Sequence, residues 1–588
     1  MSSPLSPAHP SPLVIGVSGH RDIPPDRAER AQREVGKLLD ELVALVPSTP
    51  IRVMVGMAEG ADMLVARAAL ERNIAVDAVL PMPLEYFASD FGPAGLAELQ
   101  RLLAHPGVTH VVLDPPAELR GAIPTAPGPE RDRLYVALAT TLVRKSNVLI
   151  TLWNGEFSAL PGGTADTVMR YLGAHTGTHP ATHVSFVVDD GTAPWDQQLV
   201  YWVTVERAKD ARGEPSMAPM FLSGAGEGVL RRHVKMPHQL RAQLTDLDRY
   251  NAEFAALQSE PYARSPDTLM PTLPATISAS ERADLRRIDI EYGKADALAV
   301  FCQTHSNRLF RWFSYMACAM GLLFLIYAKL VAVKVFLLGY LSVLLLGLAA
   351  FHVLKSRHWF SKHLAYRVLA ETMRTQFFLR LTAADRQVSA ADLIKLAGID
   401  QFGGFAWLTN VFKNAEPWTE REPRDQAQED AYLALAHGAW IDAQKKYFQR
   451  KVAGLEHAHR RLARLKTALI GMLVLMAVVL VVGSGPLAGF IFDFGFSAKD
   501  LLLFVMGLLP VWLGIWEIYQ GKMATRELLW QYRNQLGHFS RATIELAQAS
   551  DRDRRVSVLA GLGRDSLMES YLWTIHRYHR EHEPPAAG

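Results

Sequence analysis

The sequence predicts an α/β Rossmann-like N-terminal domain built on a parallel sheet, followed by an all-α membrane region with four transmembrane helices in two hairpins. Two observations carry this reading. Short β-branched runs alternate with helical periodicity from residue 13 to about residue 190. Four apolar runs then arrive in two pairs between residues 312 and 518. The 588 residues suffice for several domains, and a net charge of +3 makes no electrostatic demand for nucleic acid.

Each element has its own warrant. Residues 13–19 (LVIGVSG) form an apolar run ending in small residues, as in a buried strand entering a tight turn. Residues 26–46 carry helical periodicity through Ala28, Val35, Leu38, Leu39 and Leu42. Further strands are expected at 51–56, 74–80, 108–113, 147–153 and 182–188. Helices are expected at about 60–72 and 131–144, and another opens after Gly163. In such sheets ligands bind at the carboxyl ends of the strands.

The first domain is expected over residues 13–210, after a Ser/Pro-rich, disordered stretch at 1–12. That stretch lacks the basic and apolar regions of a signal peptide, so the first domain is expected in the cytoplasm. Residues 211–280 read as a linker with a short helix near 238–256, because four prolines fall within 257–275. A first two-span module is expected over 281–420, with spans at 312–328 and 335–354. A second is expected over 425–580, with spans at 468–490 and 501–518. Arg308, Arg311, Lys355, Arg357 and Lys362 flank the first hairpin, and Arg460, Arg461, Arg464, Lys466, Lys522 and Arg526 the second. This basic excess predicts a multi-pass protein of the bacterial inner membrane with both termini cytoplasmic. Similar amphipathic helices before and after each hairpin suggest a loose internal duplication.

Three strand-end loops are candidates for ligand binding. In residues 16–22 (GVSGHRD), Gly19 would admit a phosphate to the backbone, while Ser18, His20 and Arg21 offer donors. Residues 56–62 (GMAEGAD) contribute Gly56, Glu59, Gly60 and Asp62 at a helix start, with Glu59 a candidate acceptor for ribose hydroxyls. The third loop contributes Trp153 and Asn154, then Gly162, Gly163, Thr164 and Asp166 at another helix start. Thr164 also fits a simple N-cap. No metal site is expected from Cys302 and Cys318, whose spacing suits none. His352, His358 and His363 are expected to be solvated or interfacial. Arg367 and Glu371, four residues apart, fit either a surface pair or an interhelical contact in an oligomer.

The combination of VSGHRDI, GMAEGAD, LPMPLEYFASDF and LITLWNGEFSALPGGTAD resembles the SLOG superfamily, Rossmann-like domains related to the cytokinin-activating LOG enzymes and DprA-type proteins. The resemblance covers about residues 13–190 and implies a nucleotide or nucleotide-derived signalling ligand, with no further cofactor. The enzyme branch carries PGGxGTxxE with a catalytic glutamate. Aligning Gly163 and Thr164 with that motif puts Thr167 in its place, so no catalytic residue is expected. Glu59, Glu156 or Asp166 could substitute, which keeps a membrane-anchored LOG-like nucleotide hydrolase as the alternative.

The second half resembles SLATT domains, two-span effectors associated with SLOG domains. The resemblance rests on WFSKHLAYR (359–367), LAE (369–371), WIDAQ (440–444) and Tyr447-Phe448, and covers about 281–580. It implies a homo-oligomeric, pore-forming or membrane-disrupting effector of prokaryotic anti-phage defence. The first domain lacks a basic stripe, which disfavours a DNA-binding role.

Overall fold

A computed structural model describes residues 10–119, 123–174, 184–188, 198–208, 217–259, 268–270, 273–274, 277–399, 403–418, 424–492 and 496–581. The chain divides into two units. The first comprises Met1–Ser265, Thr272–Glu291 and Gly398–Arg424, and the second Pro266–Pro271, Tyr292–Ala397 and Asp425–Gly588.

Nine strands build the sheet of the first unit among the described residues: β1 Leu13–Gly19, β2 Ile51–Val55, β3 Ala75–Leu80, β4 Val108–Val112, β5 Val148–Trp153, β6 Ser185–Val188, β7 Val200–Thr204, β8 Met220–Gly226 and β9 Val229–His233. Their order is β4-β3-β2-β1-β5-β7-β8-β9-β6. The six strands from β4 to β7 are parallel. Burial follows position: every residue of central β5 is buried, whereas edge strand β4 exposes all but its first. The chain runs from β1 outward to β4 on one side and places β5 and β7 on the other. The β1/β5 boundary is therefore the topological switch point, where a doubly wound sheet opens a crevice.

The expected elements up to residue 171 are all present, with ends shifted by a residue or two. The stretch expected as a linker is different. It supplies β8 and β9, an antiparallel hairpin added beyond β7, whereas the helix expected near 238–256 is present as the 22-residue helix His238–Ser259. A register shift between Gly224 and Gly226 interrupts the alternation that would have marked this hairpin. Of the expected strand at 182–188, β6 covers 185–188, and residues 182 and 183 lie outside the described residues. The N-terminal stretch also departs from expectation. Ser11 is fully buried, its hydroxyl donating to Glu291 at 2.6 Å and its N–H to Asn251 at 2.8 Å; residues 1–9 lie outside the described residues.

The second unit is helical. Four helices are long and apolar enough to cross a membrane; the expected spans 312–328, 335–354 and 501–518 lie within three of them, while the expected span 468–490 meets a kink at Gly483 and its helix ends at Gly489. Val481 and Val482, each 82% exposed, belong to a wide apolar surface that water would not tolerate at this size. Small residues bring the hairpins together: a Cβ on Gly321 would lie 2.9 Å from Val511, and one on Gly507 3.2 Å from Leu325.

The duplication has a backbone signature. The helix Lys334–Arg357 ends at His358 and the helix Ala498–Met523 at Ala524, each a single left-handed residue (φ 52° and 49°) before the next helix, Trp359–Leu381 or Thr525–Gln548. Counted from these residues, Tyr366-Arg367 and Tyr532-Arg533 occupy equivalent positions. His363 is buried, its Nδ1 3.1 Å from the Ala299 carbonyl, contrary to the solvated reading; His352 and His358 are exposed as expected. Arg367 and Glu371 do pair along their helix, half-buried rather than at the open surface, and Arg367 also reaches Asp296 on another helix.

Candidate functional site

A cavity of about 430 Å³ opens at the carboxyl ends of β1, β2 and β5, at the switch point. Three helices begin at it: Ala61–Leu70, Pro129–Lys145 and Thr164–Tyr171. The dipoles at these helix N-termini favour an anion. The strand-end loops exist because parallel strands must turn into helices there, and glycine permits the closest turns. At Gly60 (φ 79°) a Cβ would lie 2.3 Å from the Arg21 carbonyl oxygen. At Gly162 (φ 70°) it would lie 2.7 Å from the backbone of Tyr135 and Val136. These two glycines clamp one loop against the next.

Of the sequence-derived candidates, Ser18, Gly19, His20, Arg21, Gly56, Asp62, Trp153, Gly162, Gly163 and Thr164 line the cavity. Glu59, Gly60, Asn154 and Asp166 do not. A Cβ on Gly95 would strike the Glu59 carboxylate, so Glu59 packs over the start of the helix Pro93–Leu103 and away from a ribose position. Asn154 supports the wall: its N–H donates to His20 Nε2 at 3.1 Å and its amide to Glu156 at 2.9 Å. Asp166 accepts from the Gly162 N–H at 2.8 Å and pairs with Arg170 at 2.8 Å, so it fixes the loop. Gly163, not Thr164, is the N-cap residue. Gly19 also serves packing, since a Cβ there would lie 2.4 Å from that of Ala61.

Sequence reasoning missed Asp90, Arg131, Asp132, Tyr135 and Arg207, which line the same cavity. Asp90 lies in the LPMPLEYFASDF stretch quoted for the resemblance. Pro129 at a helix start, with Glu130 and Asp132 in its first turn, was a readable signal for the helix but not for its role. Arg131 is buried and donates to the Tyr86 carbonyl (3.0 Å), Ser89 Oγ (3.2 Å) and Asp90 Oδ1 (2.8 Å). Tyr135 donates to the other Asp90 oxygen. Arg207 Nε lies 3.2 Å from His20 Nδ1.

The electrostatics are uneven. Burial pushes the Asp62 carboxyl up to about 6, although the Ala58 and Gly56 N–H groups and Arg21 pull the other way. Burial works against the Arg21 charge, but Tyr135, Asp90 and Asp62 more than offset it and raise its pKa. The Arg21 guanidinium lies 5.1 Å from the Tyr135 ring centre. Burial and the Asp90 contact push the Tyr135 phenol up to about 12. Arg21, Arg207 and three helix N-termini can therefore hold an anion, with Asp62 beside them as a group that exchanges a proton near pH 6. Thr167 is buried and donates to the Gly163 carbonyl at 2.9 Å, so its hydroxyl is tied to the backbone at the start of the helix Thr164–Tyr171. No protein family, no curated protein and no solved structure matches this chain.

Proposed function

We propose that this chain is a ligand-gated membrane effector of the SLOG–SLATT type, acting in anti-phage defence. A nucleotide-derived signal binds the switch-point cavity, and a homo-oligomer of the four-span unit then permeabilises the bacterial inner membrane. The observation that carries this reading is the path of residues 398–424. In sequence they join the two membrane modules, yet they fold into the α/β unit.

The helix Leu408–Ala415 in this segment buries Leu408, Val411 and Phe412. Lys413 Nζ donates to the Ser146 carbonyl at 2.9 Å. Lys145 Nζ donates to the Glu416 carbonyl at 2.7 Å and sits 4.2 Å from the Trp418 ring centre, while Arg144 pairs with Glu416 at 3.3 Å. Burial pushes the Lys145 ammonium down to about 7 against the pull of Glu416. Arg144 and Lys145 end the same helix whose first turns bring Arg131, Asp132 and Tyr135 to the cavity. Over 17 residues, about 25 Å, a rigid helix joins the ligand site to the strap between the modules. A ligand that binds one arrangement of this helix more tightly shifts the membrane unit with it.

The full-length protein in dye-loaded liposomes tests the proposal against a panel of nucleoside phosphates. Efflux should require one nucleotide, which chromatography should recover intact. Steady conversion of that nucleotide would instead support the second reading, a membrane-anchored LOG-like hydrolase, which Asp62 favours as a proton-transfer group near neutral pH. Lys145→Ala should leave nucleotide affinity within about two-fold while removing efflux, because only the strap is released. Efflux at the parental level would disconnect the strap from gating.

Topology has its own test. The basic excess at the hairpin bases supports a topology with both termini in the cytoplasm. A reporter active only in the periplasm should work between Lys329 and Lys334 and stay silent after Gly588. Activity at the C-terminal fusion would reverse the assignment.

A further inference from the structure

The second unit holds a cavity of about 520 Å³ that gating through the first unit does not use. Its walls come from the helices Ala279–Lys329, Trp359–Leu381, Ala443–Gly489, Thr525–Gln548 and Arg552–Glu581. Arg367, Arg374, Lys451 and Arg577 line it, against two carboxylates, Asp296 and Glu371. Four cations and two anions leave a surplus of two positive charges. Both carboxylates already have partners. Arg367 meets Asp296 at 3.1 Å and Glu371 at 2.5 Å, and Arg374 meets Glu371 at 2.7 Å and the Tyr292 hydroxyl at 2.8 Å.

The internal duplication supplies a control. Counted from Ala524, the positions of Arg367, Glu371 and Arg374 are held by Arg533, Gly537 and Ser540. Arg533 is 57% exposed and pairs with Glu456 at 2.7 Å. The second hairpin is thus followed by the same helix without a buried charge network. Packing does not require the network, and partial burial of its charges carries a desolvation cost. With the exposed Lys451 at its rim, a lining that carries more cations than carboxylates attracts an anion. Trp440, Tyr447 and Tyr532 add flat aromatic wall.

We propose that this cavity binds a phosphate-bearing anion. Arginine forks suit phosphate oxygens in two-point contacts. The volume is within the range of small-molecule sites, about 300–1,000 Å³, and suits a nucleoside phosphate or a phospholipid headgroup. Both sources have a route. Lys451 on the lining is exposed to solvent, and Lys451 and Asp296 stand on helices that continue into the apolar spans. The site is separate from the switch-point cavity and does not depend on what binds there.

The test uses the full-length protein in phosphatidylcholine nanodiscs, with adenosine diphosphate as the soluble probe and dioctanoyl phosphatidylglycerol as the lipid probe, read by calorimetry. Lys451→Gln removes an exposed cation and should not disturb folding, while Ser570→Phe fills the cavity. At least one probe should bind. Its affinity should fall about ten-fold or more, ~1.4 kcal/mol, in each variant, and should be unchanged in Gly163→Val, which alters only the other site. Adenosine diphosphate binding with this pattern identifies a soluble phosphate, and phosphatidylglycerol binding a headgroup. The proposal fails if neither probe binds, or if binding survives Lys451→Gln, or if it is lost in Gly163→Val alone.

Discussion

Replacing Gly60 with valine is expected to unfold the α/β unit, whereas Gly163→Val should leave it folded and remove ligand binding. The two glycines look alike in sequence, but their backbones differ. Gly60 has φ 79° and its Cβ would sit 2.3 Å from the Arg21 carbonyl oxygen, with the His20 carbonyl at 2.5 Å. Neither backbone atom can yield without pulling β1 from its register. A β-branched residue there combines a glycine-only conformation with a hard clash, worth roughly 3 kcal/mol or more. Gly163 is extended, with φ −76°, and its Cβ would meet only the Leu160 carbonyl at 3.1 Å. Valine fits that backbone but covers N–H groups at the start of the helix Thr164–Tyr171. Thermal unfolding and a nucleotide-binding isotherm on both full-length variants separate the two effects. A folded Gly60→Val, or undiminished affinity in Gly163→Val, would contradict the assignment.

Asp62→Asn is expected to stabilise the protein at pH 7.5 and to change little at pH 4. The folded-state pKa, about 6, lies above the unfolded value of about 3.9. Between about pH 4 and pH 6 the folded state keeps a proton that the unfolded state has lost, so stability falls as pH rises. Above pH 6 the whole cost of an ionised, buried carboxylate is present, at most about 3 kcal/mol. Below pH 4 both states are protonated and the cost vanishes. Denaturant titrations of parent and variant across this window measure the difference. An anionic ligand should also bind the parent less well as pH passes through 6, because Asp62 then gains its charge beside the site. Asparagine should flatten that slope. Equal pH dependence in both proteins would show that Asp62 is ionised throughout.

The central strands β1 and β5 were legible because burial on both faces makes them apolar runs between turn residues, LVIGVSG and VLITLW. The four spans were legible for a related reason, since a bilayer requires long apolar helices and sets their length. The hairpin β8–β9 was not legible, because glycines and a bulge break its alternation. Of the site, the glycine loops could be read locally. Their division of labour could not: Gly60 and Asp166 turned out to shape loops, and Glu59 packs elsewhere.

The sequence by itself determined that a parallel α/β domain precedes two apolar hairpins, and that three glycine loops meet at one edge of the sheet. These follow from periodicity and turn chemistry, which act over a few residues. Only the tertiary structure decided that Arg207 reaches His20 across 187 residues, and that Lys145 holds Glu416 across 271. It also decided that the stretch between the two apolar hairpins belongs to the α/β unit. Such contacts depend on how packed elements bring distant segments together. No local pattern encodes them, because each partner taken alone is an ordinary surface charge.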